Sequence, residues 1–240
     1  MNRQLFHIAI LSCGALYAAL PAHAATFTAT LLHPDSHTSS YATGASGSLQ
    51  VGYSSDGSSH ALMWTGTADS VVDLNSSTYG YTIAYGVSAS KEVGYGFLSA
   101  TSIHALLWNG TSSGVDLNPA GFDITTAYGT TETSQVGYGK GAATVGALHA
   151  LLWNGTAASK VDLNPTGYSD SIADGIAGAY QVGYAKKTGA NNYQAILWHG
   201  SAVSAVDLNP TGFTESEAKG ATTTNQIGWA NSATHHAMLW

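Results

Sequence analysis

Short runs rich in Val, Leu, Tyr and Trp, separated by clusters of Gly, Ser, Asn and Pro, follow one another from residue 26 to residue 240. None shows the three-and-four spacing of an amphipathic helix, so the pattern predicts strands and tight turns. Residues 82–119 display one unit. Thr82-Ile83-Ala84-Tyr85-Gly86-Val87-Ser88 is a first run and Glu92-Val93-Gly94-Tyr95-Gly96 a second. His104-Ala105-Leu106-Leu107-Trp108 is a third, closed by the turn dipeptide Asn109-Gly110. Gly114-Val115-Asp116-Leu117-Asn118-Pro119 is a fourth, and its proline, lacking an N–H, ends the ladder.

The unit recurs. Gln50-Val51-Gly52-Tyr53, Glu92-Val93-Gly94-Tyr95, Gln135-Val136-Gly137-Tyr138, Gln181-Val182-Gly183-Tyr184 and Gln226-Ile227-Gly228-Trp229 place their glycines 42, 43, 46 and 45 residues apart. The first run carries the signature Ser/Thr-x-Ala-x-Gly at Ser40–Gly44, Thr82–Gly86, Thr125–Gly129, Ser171–Gly175 and Ser216–Gly220. The third ends in Trp64, Trp108, Trp153, Trp198 and Trp240. Four short strands in a unit of this length is the size of a propeller blade. The fourth run has four copies, and Thr30-Leu31-Leu32-His33-Pro34 aligns with it ahead of the first unit. The expectation is therefore an all-β, five-bladed β-propeller of four-stranded blades spanning residues 25–240. Its ring would be closed by an N-terminal outer strand from residues 26–34 joining three C-terminal strands from residues 216–240, which would leave no free sheet edge.

His60-Ala-Leu-Met-Trp64, His104-Ala-Leu-Leu-Trp108, His149-Ala-Leu-Leu-Trp153 and His236-Ala-Met-Leu-Trp240 resemble the HAF repeat of bacterial extracellular proteins, named for a His-Ala-Phe run leading into Leu-Trp. The likeness spans residues 26–240. It departs from the repeat in having Leu or Met for Phe, and Gln194 where the fourth copy would have His. The resemblance implies export and a repeat architecture, and no particular activity.

The leading residues fit export. Arg3 precedes a mostly apolar run, Leu5 to Leu20, followed by Ala22-His23-Ala24, the order of a secretory signal too short for a comfortable membrane span. Cleavage after Ala24 is expected, with lipidation at Cys13 the rival reading. Either way the protein is expected to be secreted or periplasmic. Cleavage removes the only cysteine, so packing without disulfides must hold the fold. It also removes the only arginine, taking the net charge from −7 to −8. An acidic chain without clustered Lys and Arg argues against nucleic acid as a partner. No later segment is apolar enough to span a bilayer as a helix, and a monomer is the default expectation.

Three constellations could carry chemistry. One histidine per repeat (His60, His104, His149, His236) precedes one aspartate (Asp73, Asp116, Asp162, Asp207). Ring symmetry would spread these apart, so a repeated structural His–Asp hydrogen bond is expected, with no metal site and no cofactor. Second, an aromatic ring stands five residues before the Ala of each first strand: His37, Tyr79, Phe122, Tyr168 and Phe213. Such a rim suits sugar recognition, in which a flat ring stacks on a pyranose and nearby amides bind its hydroxyls. The same repetition also suits packing. Third, Asp174, Glu215 and Glu217 form an acidic rim that would serve a glycoside-active enzyme, although Lys219 shares the repeat position of Asp174 and could simply pair with it. No nucleophile elbow, phosphate loop or paired-cysteine motif is present. The expected function is non-catalytic binding of an extracellular glycan or other polymer. The alternatives are a glycoside-active enzyme and a structural or protein-interaction scaffold.

Overall fold

The computed structural model describes residues 28–240. The expected signal sequence, Cys13 and the first two residues of the expected outer strand lie outside the described residues.

The described chain is all-β, and the strands follow the repeat. Sheet 1 contains β1 (Ser40–Ser46), β2 (Leu49–Ser54), β3 (Ala61–Trp64) and β4 (Val72–Asp73). Sheet 2 contains β5 (Tyr81–Ser88), β6 (Lys91–Ser99), β7 (Ser102–Trp108) and β8 (Val115–Asp116). Sheet 3 contains β9 (Ile124–Thr130), β10 (Gln135–Lys140), β11 (His149–Trp153) and β12 (Val161–Asp162). Sheet 4 contains β13 (Tyr168–Ala177), β14 (Tyr180–Lys187), β15 (Gln194–Trp198) and β16 (Val206–Asp207). Sheet 5 contains β17 (Glu215–Ala221), β18 (Gln226–Asn231) and β19 (His235–Leu239). Each is an antiparallel meander, and a single parallel bridge, Ile103 to Ile124, joins sheets 2 and 3. The sheets do not close into a barrel.

The repeated letters prove to be the joints between sheets. In every internal junction the third-strand alanine donates its N–H to the Ser/Thr hydroxyl of the next sheet, at 2.9 Å from Ala61 to Thr82, Ala105 to Thr125, Ala150 to Ser171 and Ala195 to Ser216. That hydroxyl in turn donates to Asn75, Asn118, Asn164 or Asn209 in the connection between the two sheets. A buried hydroxyl with both roles filled incurs little desolvation cost and fixes where one sheet meets the next. Apolar side chains fill the rest: Val51, Ala61, Met63 and Leu74 of sheet 1 pack on Ala84, Leu106 and Trp108 of sheet 2, and equivalent residues repeat this at later junctions.

The polar repeat positions brace each sheet. Gln50, Glu92, Gln135 and Gln181 accept the N–H of Gly66, Gly110, Gly155 and Gly200, capping the turn after the third strand. His60, His104 and His149 pair through Nδ1 with Asp73, Asp116 and Asp162 at 2.8, 2.6 and 2.7 Å. Where Gln194 interrupts this series, Lys187 reaches Asp207 at 2.9 Å instead. Among the described residues no group of three or more His, Cys, Asp or Glu side chains converges on one point.

The expected closing strand is not formed in this structure. Sheet 5 has three strands, and residues 28–34 carry no strand. The alignment of that segment with the fourth run does have a structural counterpart. His33 Nδ1 meets Ser40 Oγ at 2.9 Å, the contact that Asn75 makes with Thr82, and His37 N donates to Pro34 O as Tyr168 N does to Pro165 O. These local bonds place the segment beside sheet 1, where Thr30–His33 line a cavity with Ser40, Tyr41 and Trp64. A strand needs a neighbour to bond with, and among the described residues no backbone hydrogen bond joins this segment to β19.

Candidate functional site

At one shared repeat position, a residue of each first strand stands outside the ladder. The register with the second strand slips between Ala42 and Gly44, Ala84 and Gly86, Ala173 and Gly175, and Ala218 and Gly220, with the equivalent slip beside Val136/Gly137. The skipped residues are Thr43, Tyr85, Tyr128, Asp174 and Lys219. A bulge leaves one residue unpaired and re-aims its side chain, and bulges are enriched beside functional sites.

Glycine makes this bulge possible. A Cβ on Gly94, Gly137 or Gly183 would lie 1.9, 1.8 or 2.0 Å from the first-strand carbonyl of Ile83, Thr126 or Ile172. Only a residue without a side chain lets the bulged backbone come this close. The first-strand glycines bring one bulge against the next: a Cβ on Gly44 would stand 2.7 Å from Tyr85 O, and one on Gly86 2.5 Å from Tyr128 O. The five bulge residues therefore form a row across the five sheets, in order Thr43, Tyr85, Tyr128, Asp174, Lys219.

The row has two chemically distinct parts. Tyr85 and Tyr128 meet across sheets 2 and 3 with ring centroids 5.2 Å apart and planes tilted by 57°, and each also meets the tyrosine of its own second strand, Tyr95 at 5.7 Å and Tyr138 at 5.9 Å. Tyr95 continues to Tyr81 and Phe97, which meet edge to face at 5.1 Å. This half-buried aromatic band ends at a cavity of about 330 Å³ lined by Gly80, Tyr81, Phe97, Leu98, Ser99 and Ala100. Burial and neighbouring phenols hold the Tyr85, Tyr95 and Tyr128 hydroxyls above the ordinary range, so all three stay protonated donors.

At the other end Lys219 Nζ lies 2.9 Å from Asp174 and 2.5 Å from Glu217, and 4.7 Å from the centre of the Tyr184 ring. Burial raises the Asp174 pKa, with Lys219 opposing the shift and Glu217 adding to it. The Tyr184 hydroxyl is pushed up by burial and by the same two carboxylates. The acidic rim read from the sequence is thus partly assembled: Asp174 and Glu217 share one lysine, while Glu215 stands at the start of β17 opposite Asn231.

The five rings expected to form a rim sit elsewhere, each against its own sheet. Phe122 is buried in the core, its ring where a Gly139 side chain would be, and Tyr79 covers Gly96 in the same way. Tyr79 OH reaches Asp116 at 3.4 Å, and burial and that carboxylate push its pKa up to about 12. His37 pairs with Asp56, Tyr168 packs against the core between sheets 3 and 4 with Lys187 above it, and Phe213 meets His236 edge to face at 5.6 Å. The amides beside three of these rings are engaged: Asn118, Asn164 and Asn209 donate to the carbonyls of Phe122, Tyr168 and Phe213.

The tyrosine band and the bulge row were not singled out in the sequence, although a signal was present. In the signature Ser/Thr-x-Ala-x-Gly the residue before Gly changes from Thr to Tyr, Tyr, Asp and Lys while its neighbours hold. In comparisons with known proteins, the chain matches no protein-family model and no curated protein.

Proposed function

We propose that this protein is a non-catalytic binding module for a neutral glycan or similar polyhydroxylated polymer, held on the tyrosine band. The continuous aromatic surface, running from the cavity at Tyr81 and Phe97 through Tyr95 and Tyr85 to Tyr128 and Tyr138, carries this reading. Tyrosine offers a ring face to a pyranose and a hydroxyl to its alcohols. The cavity is within the range that holds a small ligand, and a polymer lying along the band would gain avidity from successive weak contacts. A net charge of −7 for the whole chain disfavours polyanions.

We read the five sheets as five blades of a β-propeller-like scaffold, related to HAF-repeat proteins and exported from the cell. The proposal is tested by probing a glycan and polysaccharide array with the purified chain and its Tyr85→Ala and Tyr128→Ala variants. Saturable binding to one polymer class, weakened at least about tenfold in each variant by loss of a stacking contact, is the expected result. Folded protein that binds no glycan, or binding untouched by both substitutions, would overturn it.

The raised pKa of Asp174 favours a second reading, glycoside hydrolysis with Asp174 as proton donor and Glu217 as its partner. Turnover of a bound glycan, abolished by Glu217→Gln with binding retained, would establish it over the first.

A further inference from the structure

The two outermost faces of the five-sheet array are the two halves of a joint that the chain makes four times internally. On sheet 5, Ile227 is 56% and Leu239 68% exposed; at internal junctions the residues in their places, Val51, Val93, Val136 and Val182, are 0% exposed, Met63, Leu107 and Leu152 are under 10%, and Leu197 is half-buried. Ala237 is also exposed, whereas its counterparts Ala61, Ala105, Ala150 and Ala195, whose N–H groups bond the next sheet, are fully buried. On sheet 1 the opposite half stands open. Tyr41 is 52% exposed, whereas Ile83, Thr126 and Ile172 are buried, and Ser40 Oγ holds His33 but receives no alanine N–H. A cavity of about 500 Å³ beside Trp64, lined by Thr30–His33 and Thr38–Ala42, occupies the place where Met63 and Ala61 pack beside Trp108 at the next junction.

We propose that these faces mate between copies of the chain, β18 and β19 of one copy seating on β1 and the Thr30–His33 segment of a second. The occupant follows from complementarity. Leu239 and Ala237 would fill the cavity at Trp64 as Met63 and Ala61 pack beside Trp108, and Ala237 N–H would meet Ser40 Oγ as Ala61 N–H meets Thr82. The N-terminal segment would supply the fourth strand of sheet 5. By the register of β3 with β4, Thr30 would lie opposite Leu239 and Leu31 opposite Met238, and Leu32 N would donate to Ala237 O as Leu74 N does to Ala61 O. This covers an open sheet edge by strand addition. The contact is heterologous, so it propagates head to tail.

The test is a Leu31→Cys/Met238→Cys pair in a Cys13→Ser background, oxidised and run on a non-reducing gel, beside sedimentation of the unmodified chain. Disulfide-linked dimers and higher ladders, with association rising with concentration, are expected. Leu239→Asp should weaken association at least about tenfold, the size of effect that losing one buried leucine has, and leave the thermal midpoint unchanged at dilutions where the chain is monomeric, because Leu239 is exposed in the single chain. A cross-link confined to single chains would replace the proposal with closure of the ring within one molecule. Chains that stay monomeric at the highest soluble concentration and form no disulfide would overturn it outright.

Discussion

Sheets 2 and 3 and sheets 4 and 5 share one frame but present opposite chemistry at the same place. In both halves a glycine of the second strand accepts a bulged first strand, a buried hydroxyl ties the sheet to its predecessor, and a tryptophan closes the third strand. At the bulge, however, one half places Tyr85 against Tyr128, and the other places Asp174 against Lys219. The backbone geometry that aims the side chain is thus separate from the chemistry it delivers. The bulge residue stands outside the strand ladder, so its side chain can vary while the ladder is held.

Breaking the frame should be equally damaging in the two halves and have the largest effect. Gly137→Ala and Gly183→Ala each drive a methyl group to about 2 Å from a backbone carbonyl, and each should cost about 3 kcal/mol or more in urea denaturation. A mild effect in either half would show that the frames are not equivalent. Tyr128→Ala tests the aromatic half alone. Loss of its contacts with Tyr85 and Tyr138 should cost roughly 2 kcal/mol.

Lys219→Met tests the charged half. It leaves two carboxylates facing each other without a cation, and at neutral pH should cost about 1 kcal/mol, a modest figure because the lysine is partly exposed. Burial already raises Asp174, so the folded state holds that proton more tightly than the unfolded state and stability falls as pH rises through the raised value. Removing Lys219 should steepen that fall, and the difference from the parent should vanish once both carboxylates are protonated.

The smallest effect should be a gain. Glu92 is fully buried at a position held by glutamine in the other four repeats, and burial raises its pKa against the opposing bond from Gly110 N–H. Glu92→Gln keeps that bond without the charge. It should match the parent near pH 4 and gain roughly half a kcal/mol at pH 7, read as a higher denaturation midpoint.

The conserved spacing alone determined much of this molecule. Runs of period two between turn residues dictate strands, and a unit that cannot bury its own apolar face must pack against its copies. Five meanders and the burial of Trp64, Trp108, Trp153 and Trp198 follow from that, as does the pairing of His60, His104 and His149 with aspartates at constant offset. Three things were decided only by the tertiary structure. Which residue of Ser/Thr-x-Ala-x-Gly becomes the bulge depends on a glycine in the partner strand, and strand register is not written in either strand alone. Lys187 replaces the missing histidine at Asp207 from a different strand, a lysine–carboxylate pair in place of a histidine–carboxylate hydrogen bond, which no spacing rule contains. Whether the segment at Thr30 pairs with β19 is likewise set by tertiary placement: a repeat pattern encodes each junction between neighbouring sheets, and a contact between the first and last sheets lies beyond any one junction.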